Sequence, residues 1–220
     1  MIPNGCFLFS KKDITSEVKS KLFGYGVCSG ALIFGTNGLH EYRALNKDGP
    51  WPAEGRFSGI FVEKERIIVR TDNTGQDLLY FFEMDGDWAV SNSFLHLLTH
   101  ASKHHQLTFL PHIASCFHLK NGQHIGEQLI SHKTMVKEIR IIPINYTLVI
   151  DRASGEYCLE KSDYLEKYTL VTSENYQETL VKVLEDGAGL LKALSERGYQ
   201  LNPLISGGYD SRLVLCMIAI

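Results

Sequence analysis

Several features that would assign a protein to a functional class are missing from this sequence. Its 220 residues contain no apolar run near the ~18 residues that a membrane span requires. The segment from Met1 to Lys12 lacks a basic start followed by a long apolar stretch, so we expect no secretion signal. A net charge of -3 supplies no basic field that would attract nucleic acid or anionic lipid. We therefore predict a cytoplasmic protein whose partners include no nucleic acid and no membrane.

The sequence also lacks any indication of paired cysteines. The five cysteines are odd in number and widely separated along the chain: Cys6, Cys28, Cys116, Cys158 and Cys216. No pair has the spacing of a metal site or a redox motif. Reduced thiols, as in a cytosolic protein, are the interpretation that this pattern favours.

The composition is that of an ordinary globular protein, with 44% hydrophobic and 21% charged residues. The length suffices for one large domain, or for one domain and part of another. The sequence ends in an apolar run from Leu213 to Ile220 that has no capping or stop signal. From this run we expect the chain to be the beginning of a longer protein, interrupted inside a second domain.

Strand-forming residues dominate the stretch from Phe57 to Leu98. Asp85 and Gly86 lie between two apolar runs, which is a strong hairpin signal. Tyr80, Phe81 and Phe82 fall inside one of these runs, so we expect them in the core and not in a ligand site. The predicted strands of the chain are Ala31–Phe34, 57–62, 66–70, 78–83, 88–91, 137–142, 146–150 and a return through Tyr157 and Leu159.

Helices are predicted from apolar spacing and from the positions of proline and glycine. Leu180, Leu184, Leu191 and Leu194 form one stripe of an amphipathic helix, which Gly198 ends. The predicted helices are 14–23, 93–103, 111–119, 174–197 and a last one from about Ser211 onward. A short buried strand, Leu201 to Ile205, is expected between the last two helices.

A glycine-rich loop joins that strand to the last helix. Ser206, Gly207, Gly208, Asp210 and Ser211 spell the pattern Ser-Gly-Gly-x-Asp-Ser. The two glycines permit a tight turn whose amide groups can approach a phosphate, and the helix start adds its positive dipole end. The serine hydroxyls can donate to phosphate oxygens, whereas Asp210 would repel them unless Mg²⁺ lies between. The pattern thus predicts an ATP site of the pyrophosphate-releasing type, and the lack of lysine excludes the GxxxxGK[ST] loop.

At this point the chain resembles the asparagine synthetase family, whose relatives include β-lactam synthetases and lasso-peptide cyclases. The resemblance extends over residues 55–220 and rests on the order of several segments besides the loop. These segments are Phe57 to Phe61, Arg70 to Phe81, Val90 to Phe94 with Leu97 and Leu98, and Lys133 to Pro143.

The resemblance implies an α+β protein, with a layered α/β/β/α Ntn-hydrolase-like domain followed by the beginning of a doubly wound α/β PP-loop domain. It implies a glutaminase-like domain at residues 1–108, an interdomain helix and β-hairpin at 109–170, and the start of an ATP-pyrophosphatase domain at 171–220. ATP and Mg²⁺ are the implied cofactors. The implied reaction adenylates a small-molecule carboxylate, releases pyrophosphate, and lets ammonia or an amine attack.

The glutaminase half of the family pattern is not reproduced. The family uses an N-terminal cysteine whose α-amino group is the base, but position 2 here is Ile2. Cys6 could be the nucleophile only if five residues were removed, so we name no catalytic residue. We expect glutamine hydrolysis to be lost.

Two further patterns have a functional and a structural interpretation. Gly26-Val27-Cys28-Ser29-Gly30 matches a nucleophile elbow, but an elbow requires a strand before it and a helix after it. We expect the reverse order here, which favours a glycine-rich turn with a small buried cysteine. His96, His100 and His104 recur every four residues and could bind zinc, although a solvated helix face explains them without further ligands.

Two alternatives to the ligase remain. The glutaminase-like domain could be a non-catalytic module for dimerisation or scaffolding, and the absence of cysteine at position 2 favours that alternative. The loop could also belong to another PP-loop family, such as those of tRNA thiolation or NAD synthesis. We rank that last because those proteins lack a β-rich domain before the loop.

Overall fold

The computed structural model describes residues 5–15, 17–28, 30–116, 131–163, 172–204, 206 and 208–219. The predicted α+β architecture is confirmed: the described chain is a mixture of helices and two antiparallel sheets. None of the helices in these ranges combines the length and the apolar character needed to cross a bilayer.

Ten strands form the two sheets. In chain order they are β1 (Leu8–Ser10), β2 (Lys21–Cys28), β3 (Ala31–Phe34), β4 (Glu54–Val62), β5 (Arg66–Thr71), β6 (Tyr80–Met84), β7 (Asp87–Ser91), β8 (Ile139–Ile141), β9 (Tyr146–Asp151) and β10 (Tyr157–Lys161). One sheet has four strands in the order β1-β7-β6-β8, and the other has six in the order β10-β9-β5-β4-β2-β3.

Five α-helices accompany the strands in the described ranges. They are α1 (Gly35–Leu45), α2 (Phe94–Ala101), α3 (Pro111–Cys116), α4 (Tyr176–Glu196) and α5 (Tyr209–Ala219), with a 3₁₀ helix at Lys11–Thr15. The hairpin predicted at Asp85 and Gly86 is confirmed, because β6 and β7 pair with Met84 opposite Asp87. Both turn residues have positive φ, 53° and 76°, as this kind of turn requires.

The main core lies between the two sheets. Trp88 and Phe81 of the four-stranded sheet pack there with Ile67, Val69 and Leu148 of the six-stranded sheet. The Trp88 indole nitrogen donates to the Gly155 carbonyl at 3.1 Å, so its polar atom is satisfied inside the core. This arrangement makes the inward positions of both sheets apolar.

The outward faces are apolar as well, because a helix covers each of them. Leu39 of α1 packs on Phe57 and Phe61 at the back of the six-stranded sheet. Leu97 of α2 packs on Phe82 at the back of the four-stranded sheet. Burial on both faces explains the uninterrupted apolar run Ile67-Ile68-Val69 in β5. The expectation that Phe81 and Phe82 are core residues is confirmed, and Tyr80, partly exposed, packs edge-on against Phe94.

The predicted helix at 14–23 is wrong. The 3₁₀ helix ends at Thr15, and β2 begins at Lys21 and continues to Cys28. In β2 the buried and less buried positions alternate with the period of a strand, Leu22 lying on the α1 side and Phe23 against the main core. Gly24 and Gly26 hide that alternation in the sequence because they contribute no hydrophobic signal.

The predicted buried strand at 201–205 is also not found. Residues 201–204 have no regular secondary structure, and Leu204 is 94% exposed. Ile205 lies outside the described residues, as do 117–119 of the helix predicted at 111–119 and 164–171 of the predicted interdomain connection. The described part of the C-terminal segment therefore consists of α4, an irregular segment and α5.

Candidate functional site

The glycine-rich loop lies directly before helix α5. That helix begins at Tyr209, so Asp210 and Ser211 occupy its first turn, and Ser206 and Gly208 precede it. Asp210 is exposed, which leaves its carboxylate accessible to a ligand. The loop-to-helix part of the sequence prediction agrees with the structure, whereas Gly207 lies outside the described residues.

The two serines of the loop bring its ends together. Ser206 Oγ and Ser211 Oγ lie 3.2 Å apart. The amide of Ser206 donates to Ser211 Oγ at 3.1 Å, and the amide of Gly208 donates to Ser206 Oγ at 3.2 Å. The single hydroxyl proton of Ser211 can be donated to the carbonyl of Ser206 or to that of Gly208, at 3.0 and 3.1 Å. Two hydroxyls and two amides thus converge at the start of α5.

This arrangement has the chemistry of an anion site. Hydroxyls and amide groups at a helix start can exchange their internal hydrogen bonds for bonds to phosphate oxygens. The exposed Asp210 carboxylate adds an oxygen ligand of the kind that Mg²⁺ prefers. Among the described residues, no group of three or more His, Cys, Asp or Glu side chains is arranged to hold a metal ion by itself.

Cys6 is exposed and lies just before β1. The side chain of Asn92 forms hydrogen bonds with the backbone of both residues that flank Cys6. The Asn92 carboxamide accepts from the Phe7 amide at 2.9 Å and donates to the Gly5 carbonyl at 3.0 Å. Its nitrogen also donates to Ser58 Oγ at 3.0 Å. The backbone around Cys6 is thus fixed, although Met1 to Asn4, Ile2 among them, lie outside the described residues.

Asn92 was not singled out by the sequence analysis. It follows β7 and directly precedes Ser93, whose hydroxyl accepts from the amide of His96 and caps α2. The polar trio at 91–93 has the local signature of a helix cap, which accounts for Ser93 but gives no indication of the contact with Gly5. That contact spans 87 positions of the chain.

Cys28 lies at the end of β2, in the hairpin that leads into β3. The helix expected before Cys28 is wrong, because β2 contains this residue, but the strand β3 follows it and not a helix, so the nucleophile elbow is excluded. The expected burial of Cys28 is confirmed. Cys28 is 5% exposed, its thiol donates to the Pro50 carbonyl at 3.2 Å, and the Tyr42 hydroxyl donates to its sulfur at 3.2 Å.

Two charged side chains with buried polar atoms, Arg70 and Asp72, lie near Cys28. Arg70 donates to the Pro52 carbonyl at 2.7 Å, but its Nε is buried without a partner in the described structure. Asp72 is 1% exposed, and its Oδ2 also lacks a partner there, whereas its Oδ1 accepts from the Thr74 amide at 3.0 Å. Burial lowers the pKa of Arg70, and the nearby Cys28 and Asp72 oppose that shift.

The histidines around α2 do not form a zinc site. The helix ends at Ala101, so His104 lies beyond it, and no three ligands converge among the described residues. The His100 and His104 rings lie 6.1 Å apart, and burial lowers the pKa of His100. His105, which the spacing argument did not include, pairs with Asp87 at 3.3 Å.

Comparison with known proteins adds no assignment. No protein-family model matches this chain, and no curated protein matches it.

Proposed function

We propose that this chain is the N-terminal part of an asparagine synthetase-like, ATP-dependent amide-forming ligase. Such an enzyme adenylates a carboxylate, releases pyrophosphate, and joins the activated acyl group to ammonia or an amine. The observation that carries the proposal is the convergence of Ser206, Gly208 and Ser211 at the start of α5.

The donor groups of the loop suit a phosphate chain. Hydroxyl and amide donors at a helix start bind phosphate oxygens without a positively charged side chain. Mg²⁺ would be held between Asp210 and those oxygens, where it would neutralise charge on the departing pyrophosphate. The task of this chain's own residues is to orient the phosphates for attack by the carboxylate.

The domain before the loop supports the same proposal. Helix α1, the six-stranded sheet, the four-stranded sheet and α2 pack in an order that agrees with the α/β/β/α layering of an Ntn-hydrolase-like domain. The doubly wound sheet of a PP-loop domain is proposed from the sequence pattern alone, and the lack of a strand at residues 201–204 does not support it.

The test uses the complete protein and labelled pyrophosphate. In the presence of the right carboxylate, label should pass from pyrophosphate into ATP. Asp210→Asn should lower the exchange by about 100-fold or more, because it removes the group that holds the metal. Asp186→Asn, which changes an exposed aspartate on α4, is the matched control and should leave exchange unchanged. Absence of exchange with every carboxylate offered would contradict the proposal.

A second candidate is a non-catalytic module for dimerisation or scaffolding. Ile2 and the five residues before Cys6 favour it, because they leave the family's glutaminase without its N-terminal nucleophile. Sedimentation of the complete protein at micromolar concentration, together with its pyrophosphate exchange, would distinguish the candidates. A stable dimer without exchange activity supports the module, and a monomer with exchange activity supports the ligase.

A further inference from the structure

Helix α4 meets the sheets through a small group of stacked side chains. Phe34, the last residue of β3, stacks on Tyr199 with the ring centroids 4.8 Å apart and the planes at 17°. The Arg197 guanidinium lies 5.4 Å from the Phe34 ring centroid. Tyr25, the cross-strand partner of Phe34 in β2, lies 5.9 Å away on the sheet. We call Tyr25, Phe34, Arg197 and Tyr199 the aromatic joint.

The end of α4 gives the joint its geometry. Gly198 has a φ of +79°, and its amide donates to the Ser195 carbonyl at 2.9 Å. The Tyr199 amide then donates to the Leu194 carbonyl at 3.1 Å. These bonds turn the chain sharply after the helix, so Tyr199 is held against the sheet by backbone geometry as well as by its ring.

The joint matters because few other contacts join α4 to the sheets in the described structure, whereas α4 packs on α5 where Gly187 meets Met217. No residue of this 21-residue helix is buried. Leu180 and Val183 on it are 41% and 51% exposed. An aromatic stack supported by a cation is therefore a substantial part of the force that holds α4 to the edge strand β3.

The joint also lies close to the candidate phosphate site along the chain. Tyr199 precedes Ser206 by seven positions, which bounds their separation at about 25 Å for a fully extended chain. Residues 201–204 form no regular structure that could fix the loop independently. The start of the loop is thus constrained on one side by Tyr199 and on the other by α5.

We propose that Phe34 and Tyr199 are positioning residues for the loop at Ser206–Ser211. Their stack fixes the end of α4 on the β3 edge and thereby restricts the conformations open to the loop. The expected effect of the stack on ATP affinity rests on the function proposed above. Its expected effect on the backbone motion of residues 199–211 does not. The two consequences can be measured separately.

The first experiment is amide hydrogen exchange on the whole chain. Tyr199→Ala and Phe34→Leu should speed exchange in the last turns of α4 and in the segment 199–211 by about two- to tenfold, the effect of losing one aromatic pair. Tyr199→Phe keeps the ring and should restore the normal rates. Tyr176→Ala removes a 56% exposed tyrosine at the opposite end of α4 and is the matched control. Unchanged exchange in both Tyr199→Ala and Phe34→Leu would overturn the proposal.

The second experiment measures binding of ATP with Mg²⁺ to the same variants. ATP binds only to molecules whose loop has the binding conformation. The apparent dissociation constant therefore rises when the fraction of such molecules falls. Tyr199→Ala should weaken binding by the factor seen in exchange, while Tyr199→Phe and Tyr176→Ala bind normally. Faster exchange with unchanged ATP affinity would overturn the positioning role. If the unmodified chain binds no ATP, the proposed function fails, and exchange in 199–211 alone decides the role of the joint.

Discussion

At the scale of single residues, Asn92 joins parts of the chain that are far apart in sequence. Its carboxamide holds the backbone on both sides of Cys6 and also binds the Ser58 hydroxyl. Ser58 is fully buried, so its hydroxyl has no water to bond instead. Asn92 therefore fixes the entry of the chain into β1, and with it the position of the Cys6 thiol.

Replacement of Asn92 by aspartate tests this anchoring role. The carboxylate keeps the bond from the Phe7 amide but cannot donate to Gly5 or Ser58. We expect the free energy of unfolding to fall by about 1–3 kcal/mol in chemical denaturation. Asn46→Asp, which changes an exposed asparagine that donates to the Tyr42 carbonyl, should cost less. Equal effects of the two substitutions would show that Asn92 has no special role.

Tyr157 shows how local charge acts on a single side chain. Its pKa is raised to about 12, with burial as the largest cause and the nearby negative Glu83 carboxylate acting in the same direction. Its ring packs edge-on against Phe81 at 4.8 Å, on the main core. The folded protein thus favours the neutral phenol.

The pH dependence of stability follows from that pKa. Between pH 10.0, its ordinary value, and about 12, the unfolded chain loses the Tyr157 proton while the folded chain keeps it. The stabilisation is therefore complete below pH 10.0 and is lost as the pH rises toward 12. Titration followed by the ultraviolet absorbance of tyrosinate should show one tyrosine that ionises at a higher pH than the others. This last ionisation step should be absent from Tyr157→Phe. A last step that persists in Tyr157→Phe would contradict the assignment.

At the scale of elements, two glycines with similar backbone angles serve different purposes. Gly75, in the loop between β5 and β6, has a φ of +64°, and a Cβ placed there would overlap the Ile144 side chain. Gly86, in the β6–β7 turn, has a φ of +76°, and a Cβ there would meet nothing within 4 Å. The first glycine permits close packing of two loops, and the second only permits a turn.

Substitution by alanine separates the two roles. Gly86→Ala should cost about 1–2 kcal/mol in unfolding free energy, the strain of a left-handed residue. Gly75→Ala should cost about 1–3 kcal/mol more, because it adds an overlap in a packed region. Combining it with Ile144→Ala should recover much of that additional loss. Equal costs for the two single substitutions would mean that the Gly75 contact is absent in solution.

Some helices and strands can be predicted from the sequence, and others cannot. The β6–β7 hairpin and α4 are predictable, because a turn pair and a helical stripe are local signals. Strand β2 is not, since Gly24 and Gly26 interrupt its alternation of apolar side chains. The glycine-rich pattern from Ser206 to Ser211 is likewise a local motif, whereas the bond from the Phe7 amide to Asn92 joins residues 85 positions apart. Contacts of that kind appear only when the sheets are assembled.

At the scale of the whole molecule, the sheets and the C-terminal helices are buried to very different degrees. Ile67 and Val69 of β5 are fully buried, whereas Leu213 of α5 is 44% exposed and α4 has no buried residue. Apolar area removed from water is the main source of stability. The sheets should therefore form the last region to open, and the helices the first.

Amide hydrogen exchange on the unmodified chain measures this difference. We expect amides of α4 and α5 to exchange at least about 100-fold faster than those of β5 and β6, because they open without unfolding the sheets. Limited proteolysis should correspondingly cut the C-terminal helices first and leave the sheets intact. Uniform protection along the chain would contradict this division.

Equilibrium dialysis of the chain against ATP would test whether the loop at Ser206–Ser211 is a magnesium-dependent phosphate site. We expect saturable binding of one ATP that requires Mg²⁺, is lost in Asp210→Asn and is retained in Asp186→Asn. Absence of saturable binding to the unmodified chain, or equal binding by the two variants, would contradict it.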